Sequence, residues 1–148
     1  MEEGIKGFDS YVREAFSITD VDVQTYSPLT LAFIGDGIYD LIIRTIVVGK
    51  GNTKPAKLHH ETASMVKAAA QARYMDVIEP KLTQEEEAVF KRGRNANSPT
   101  MAKNASMADY RRATGFEALM GYLYLTDQTD RMLALIRSAL SAELIKQG

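Results

Sequence analysis

The chain has 148 residues, with 18 basic against 19 acidic side chains, a net charge of −1, and apolar and aromatic contents of 45% and 8%. That is the composition of one ordinary soluble domain, able to bury about two thirds of its unfolded surface without disulfides or structural zinc. The lack of any cysteine excludes a disulfide framework and thiolate chemistry, no apolar run approaches the roughly 18 residues of a membrane span, and Met1 to Gly4 carry no signal-like flank, so a cytoplasmic location is expected.

In chain order the punctuation reads all-α. Ser27 as N-cap and Pro28 at the first helical position open a helix through Leu29, Leu31, Phe33, Ile34, Ile38, Tyr39, Leu41, Ile42 and Ile46. It is apolar almost all round, which predicts a central, buried helix. After Gly49-Lys50-Gly51-Asn52 a second helical region starts near Pro55, carries Leu58, Met65, Val66, Ala69, Tyr74, Val77 and Ile78, contains a break, and ends by Pro80.

Thr83 and Glu86 form a capping box for a short helix through Phe90, with Glu85, Glu86 and Glu87 in the first turn, where the helix dipole favours them. From Gly93 to about Ser106 the composition shifts to Gly, Asn, Ser, Pro and Lys, which predicts a surface loop. Further helices are expected over about 108–125 and 129–145. No repeat or linker divides the chain, so residues 1–148 read as a single domain with its core in about 27–140.

Two acidic residues stand inside the most apolar stretches: Asp36 in Leu31-Ala-Phe-Ile-Gly-Asp-Gly-Ile-Tyr39 and Glu117 in Ala113-Thr-Gly-Phe-Glu-Ala-Leu-Met-Gly-Tyr122. A carboxylate removed from water costs several kcal/mol, by rough estimate, unless it is paired, hydrogen-bonded or metal-bound. Gly35 and Gly37 flank Asp36, and Gly115 and Gly121 bracket Glu117, although a helix-interior glycine costs on the order of 1 kcal/mol against alanine. Such glycines accompany close backbone approach. A tight crossing of the two helices would set Asp36 and Glu117 facing each other as hard oxygen ligands for Mg²⁺, or Mn²⁺ in its place, the usual arrangement for hydrolysing a phosphodiester. The pattern leaves a second reading open, in which either carboxylate sits on a wet helix face or pairs with Arg44, Arg111 or Arg112. Asp40, one turn beyond Asp36, reads as an exposed position.

Between residues 91 and 112 lie Lys91, Arg92, Arg94, Lys103, Arg111 and Arg112 against Asp109 alone. Arg92-Gly93-Arg94 with Asn95 puts guanidinium forks and an amide on what reads as a flexible support, suited to phosphate and ribose 2′-hydroxyl contacts. Tyr110 is the single aromatic residue here, which favours the backbone of a duplex over stacking on single strands. A merely solvated charged loop is the plainer alternative. His59 and His60 lack partners at metal-ligand spacing, and no nucleotide-binding loop or serine-hydrolase elbow is present.

Leu31-Ala-Phe-Ile-Gly-Asp-Gly-Ile-Tyr-Asp40 resembles the signature of the ribonuclease III catalytic domain, and Phe116-Glu-Ala-Leu-Met-Gly-Tyr-Leu-Tyr-Leu125 resembles that family's second acidic motif. With Lys91-Arg-Gly-Arg-Asn-Ala96 between them, the chain is most similar to the Mini-III group, which lacks the double-stranded RNA-binding domain. The resemblance implies an all-α endonuclease fold, a homodimer, and divalent-metal hydrolysis of double-stranded RNA leaving 5′-phosphate and 3′-hydroxyl ends. It implies precursor 23S ribosomal RNA as substrate, with a large-subunit ribosomal protein as a helper. By position, Asp36 and Glu117 match the family's catalytic, metal-binding acids. Larger members place a Glu and an Asp where this chain has Ala32 and Thr114, which implies fewer protein ligands on the metal. Two other readings stay open on sequence: a non-catalytic RNA-binding or ribosome-assembly module, and a helical metal-dependent nucleotide phosphohydrolase.

Overall fold

The computed structural model describes residues 7–97 and 106–147, with side chains as far as Ser141. Among the described residues the structure is helical, without strands. Helix α1 (Phe8–Ala15) is followed by a 3₁₀ turn (Val23–Thr25) and then by α2 (Pro28–Gly49), α3 (Pro55–Val66) and α4 (Ala68–Ile78). A second 3₁₀ turn (Glu79–Lys81) leads to α5 (Gln84–Asn95), α6 (Met107–Leu125) and α7 (Thr129–Gln147). None of the helices described is long and apolar enough to cross a membrane.

The predicted caps form. Ser27 Oγ accepts the Thr30 N–H at 3.2 Å with Pro28 in the first turn of α2. Thr83 and Glu86 exchange the two hydrogen bonds of a capping box at 3.1 and 2.9 Å. Ser106, expected only as the end of a loop, also caps a helix, accepting from Asp109 N at 3.0 Å to start α6. The break expected in the 55–80 region falls at Lys67, whose extended ψ of 156° separates α3 from α4. A broken helix leaves carbonyls without partners. One distant and one nearby side chain supply them: Tyr39 Oη donates to Met65 O and Gln71 Nε2 donates to Val66 O, both at 2.9 Å.

Three expectations need correction. The centre of the core is α6 rather than α2. Every residue of α6 from Ala113 to Leu123 except Glu117 is buried, and α2, α4 and α5 all pack on it. Helix α2 buries only the stripe Leu31, Ala32, Gly35, Tyr39, Ile43 and Val47, and leaves Phe33 82%, Leu41 52% and Val48 61% exposed. Its all-round apolarity therefore describes two faces, one turned inward and one turned out. Second, the helix begun at Gln84 does not stop near Phe90 but continues to Asn95, so Arg92, Arg94 and Asn95 sit on a helical turn and not on a flexible loop. Third, α1 was not anticipated, although Phe8, Tyr11, Val12 and Ala15 hold the i, i+3, i+4, i+7 spacing of an amphipathic helix. Gly7 N donates to Asp127 Oδ1 at 2.8 Å and ties the start of α1 to the turn after α6.

Helix α7 is fastened to α5 by charge. Arg131 Nε and Nη2 each reach the Glu86 carboxylate at 2.8 Å, and Nη2 also donates to Lys81 O at 2.8 Å. The Arg131 bonds, with the Thr83 backbone, hold buried Glu86 below the ordinary glutamate range despite its burial. A depressed carboxyl stabilises the fold above its unfolded pKa and releases that stability as pH falls through its folded value. Arg131→Met is expected to strand the carboxylate and destabilise the protein by about 3 kcal/mol in chemical denaturation. Adding Glu86→Gln should return part of that loss.

Candidate active site

The crossing of α2 and α6 is made backbone to backbone. A Cβ placed on Gly35 would fall on the carbonyl oxygen of Glu117, and one placed on Gly121 would fall on the carbonyl oxygen of Leu31. Each helix thus lends the other its glycine, and side chains beside the contact are pressed together. Gly115 and Gly93 make the next crossing, between α6 and α5. A Cβ on Gly115 would lie 2.6 Å from the Phe90 ring, and one on Gly93 would lie 2.9 Å from the Gly115 Cα. Gly37 has no such role, since its Cβ would meet nothing within 4 Å.

This crossing sets Asp36, exposed on α2, beside Glu117, half-buried on α6. Asp36 is a hydrogen-bonding neighbour of the Glu117 carboxyl. Glu117 is pushed up from its ordinary 4.5 to about 8, first by burial, then by the negative charge of Asp36 and by the shared hydrogen bond. Opposing this, Gln71 Nε2 donates to Glu117 Oε2 at 3.2 Å. Gln71 comes from α4 and is 1% exposed. Its carbonyl oxygen Oε1 is buried with no partner among the described residues. An acceptor left in that state costs about 1–3 kcal/mol.

The donor set fits a hard divalent ion. Neighbouring carboxylates repel each other, a cation relieves that repulsion, and an ion such as Mg²⁺ keeps water where protein oxygens are few. Protein oxygens are few here, because the described residues hold no cluster of three or more acidic, histidine or cysteine side chains arranged to hold a metal. Ala32 is buried without a polar group, Thr114 Oγ1 donates to Tyr110 O at 3.0 Å within its own helix, and Asp40 is engaged by Arg44 at 2.7 Å. His59 and His60 are exposed on α3.

The basic residues divide into two groups. Arg112 is committed internally, with Nη2 bonded to Asp76 at 2.8 Å and to Glu79 at 2.9 Å, and with its guanidinium 5.5 Å from the Phe90 ring centroid. It braces the start of α6 against the end of α4. Lys91, Arg92, Asn95 and Arg111 are exposed, and Arg94 is half-buried with its guanidinium 5.6 Å from the same Phe90 ring centroid. Arg92 Nη2 reaches Tyr26 O at 3.4 Å, Lys91 pairs with Glu87 at 3.4 Å, and Arg94 Nε donates to Asn95 Oδ1 at 3.2 Å. Lys103 lies outside the described residues. Because Gly93 rests against Thr114, Gly115 and Ala118, the basic end of α5 packs on the same turns of α6 that carry Glu117.

Neighbouring carboxylates favour a hard cation, and guanidinium groups on the adjoining helix favour a polyanion. The family model for the ribonuclease III domain matches residues 29–128. Mini-ribonuclease 3 of Streptococcus pneumoniae is 48% identical over 118 residues, covering 78% of this chain and 92% of the relative. Mini-ribonuclease 3 of a Thermoanaerobacter species is 42% identical over 147 residues, covering 99% of this chain and 100% of the relative. A crystal structure of a Fusobacterium nucleatum protein superposes with a TM-score of 0.78 at 29% identity, covering 87% of this chain and 99% of that one. The chain belongs to the ribonuclease III family. The activity that goes with this membership is endonucleolytic cleavage of double-stranded RNA, in a family that is generally metal-dependent.

Gln71 is the site residue that the sequence reading missed. Its signal was present but faint: one amide inside Ala68-Ala-Ala-Gln-Ala72, on a helix otherwise short of polar side chains facing the core.

Proposed function

We propose that this chain cleaves double-stranded RNA at the Asp36–Glu117 pair with Mg²⁺, leaving 5′-phosphate and 3′-hydroxyl ends. Mn²⁺ is expected to substitute. The observation that carries this reading is the glycine-made crossing that sets Asp36 beside Glu117, with Glu117 raised to about 8 by burial and by the charge of Asp36. When bound, the cation supplies positive charge to the scissile phosphate and acidifies water. Asp36 and Glu117 hold the ion and fix its place relative to α2 and α6. Lys91, Arg92, Arg94, Asn95, Lys103 and Arg111 grip the duplex backbone, and Arg112 contributes through its brace on α6.

The substrate fitting this reading is the paired stem of precursor 23S ribosomal RNA in the cytoplasm, with a large-subunit ribosomal protein as helper. Residues 1–148 act as a single catalytic domain. The enzyme works as a homodimer, a reading supported by the outward apolar face of α2, where Phe33 is 82% exposed.

Incubating a long RNA duplex with the protein tests the reading directly. Cleavage with Mg²⁺, none in EDTA, and no cut in single-stranded RNA are expected, and hydrolysis of free nucleotides in place of the duplex would overturn it. Grip by phosphate contacts also predicts a steep salt dependence. Arg111→Ala should weaken duplex binding and reduce the slope of log affinity against log salt by about 1. An affinity indifferent to salt would remove the basic residues from the interface.

A further inference from the structure

Gln71 is buried, polar and half-satisfied. Its Nε2 bridges Val66 O at 2.9 Å and Glu117 Oε2 at 3.2 Å, so the amide joins the broken end of α3 to the carboxylate pair. Both partners of Nε2 are acceptors, which fixes the orientation of the amide: turned over, it would set a carbonyl oxygen against the Val66 carbonyl. Oε1 is thereby committed to a direction in which no described residue donates to it. The Nε2 bonds to Val66 O and Glu117 account for the donor end of the side chain, but nothing in the packing accounts for the buried, unpartnered Oε1. A hydrogen-bond donor that arrives with a ligand does. The donor class that a carboxylate pair with few protein ligands brings in is the water of a partly hydrated divalent cation.

We propose that Gln71 is a positioning residue of the cation site, aiming the Glu117 carboxylate through its Nε2 and taking a hydrogen bond from the ion's water through its Oε1. This rests on the reading that Asp36 and Glu117 hold the ion. Gln71 touches neither RNA nor the reacting atoms. Its effect passes through Glu117 and through water, the role by which residues behind a metal ligand typically change affinity 10–100-fold.

The test uses the whole protein without RNA. Mn²⁺ binding is followed by the electron paramagnetic resonance signal of the free ion for the wild type, Gln71→Met, Asp36→Asn and Glu117→Gln. Gln71→Met is expected to bind Mn²⁺ about 10–100-fold more weakly, with the fold retained and unchanged affinity for duplex RNA in EDTA. With Mg²⁺ its kcat should fall while KM for the duplex stays put, a split that a merely structural residue would not give. Mn²⁺ affinity within twofold of the wild type would overturn the role of Gln71. If Asp36→Asn and Glu117→Gln also leave Mn²⁺ binding intact, the ion is elsewhere and the underlying reading falls. If those two lose the ion and Gln71→Met keeps it, only the role of Gln71 falls. Should Gln71→Met not fold, the side-chain amide resonances of Gln71 in the wild type decide: a saturable shift on adding Mg²⁺, absent from Asp36→Asn, supports the role, and resonances indifferent to Mg²⁺ refute it.

Discussion

Asp36→Asn is expected to lose cleavage of duplex RNA by about three orders of magnitude or more, since on the proposed reading it removes one of two protein ligands and forfeits several kcal/mol of charge stabilisation on the phosphate. Glu117→Gln should do the same. The metal-free Asp36→Asn protein, however, should be more stable than the wild type at alkaline pH. Glu117 holds its proton to about 8 in the fold against an ordinary value of 4.5, so it binds that proton more tightly folded than unfolded. The stability this gives is complete below pH 4.5 and is lost as pH rises through about 8. Asp36 supplies the charge and the hydrogen bond in that shift, whereas burial remains in the variant. The advantage of Asp36→Asn should therefore be small at pH 5 and reach about 1 kcal/mol or more at pH 8.5, read from denaturant midpoints in EDTA. Saturating Mg²⁺ should reverse the order by stabilising the wild type alone. A wild type whose metal-free stability climbs from pH 5 to pH 8.5, or a variant that still cuts, would contradict the assignment.

Local chemistry made much of this legible. A serine followed by proline, a threonine three residues before a glutamate, and glycines near each buried-helix acid have a short-range physical meaning, and α2, α5 and the site crossing follow from them, although of the two glycines flanking Asp36 only Gly35 makes the crossing. What escaped depends on partners distant in the chain. Arg112 reads as one more cation of a basic stretch, but Asp76 and Glu79 lie 36 and 33 residues away and claim it. Gly93 reads as the start of a loop because glycine is a poor helix former, yet the approach of Gly115 at that point admits nothing larger. Apolar residues on α2 look alike in sequence whether they face the core, as Ile43 does, or point away from it, as Phe33 does. Gln71 escaped for the same reason as Arg112, since one of the two acceptors that fix its amide lies 46 residues away.

Gly35→Ala and Gly37→Ala should have opposite consequences although they flank the same aspartate. An added Cβ at Gly35 would collide with the Glu117 carbonyl and come within 2.8 Å of the Gly121 nitrogen, both backbone atoms that cannot rotate aside. The helices must move apart, which costs about 1–3 kcal/mol or more as overpacking. Separation also pulls Asp36 away from Glu117, and a misplacement of about 1 Å in a catalytic constellation can cost about 10²-fold in rate. Gly35→Ala is thus expected to lower the denaturation midpoint and to cut kcat about a hundredfold or more. At Gly37 the new methyl group meets nothing within 4 Å, so the better helix propensity of alanine should raise stability by up to about 1 kcal/mol. Gly121→Ala should follow Gly35→Ala, because Leu31 O occupies the place its Cβ would take. Equal stabilities for the Gly35 and Gly37 variants would mean that the crossing has slack. The closeness of the two acids would then need a cause other than the glycines.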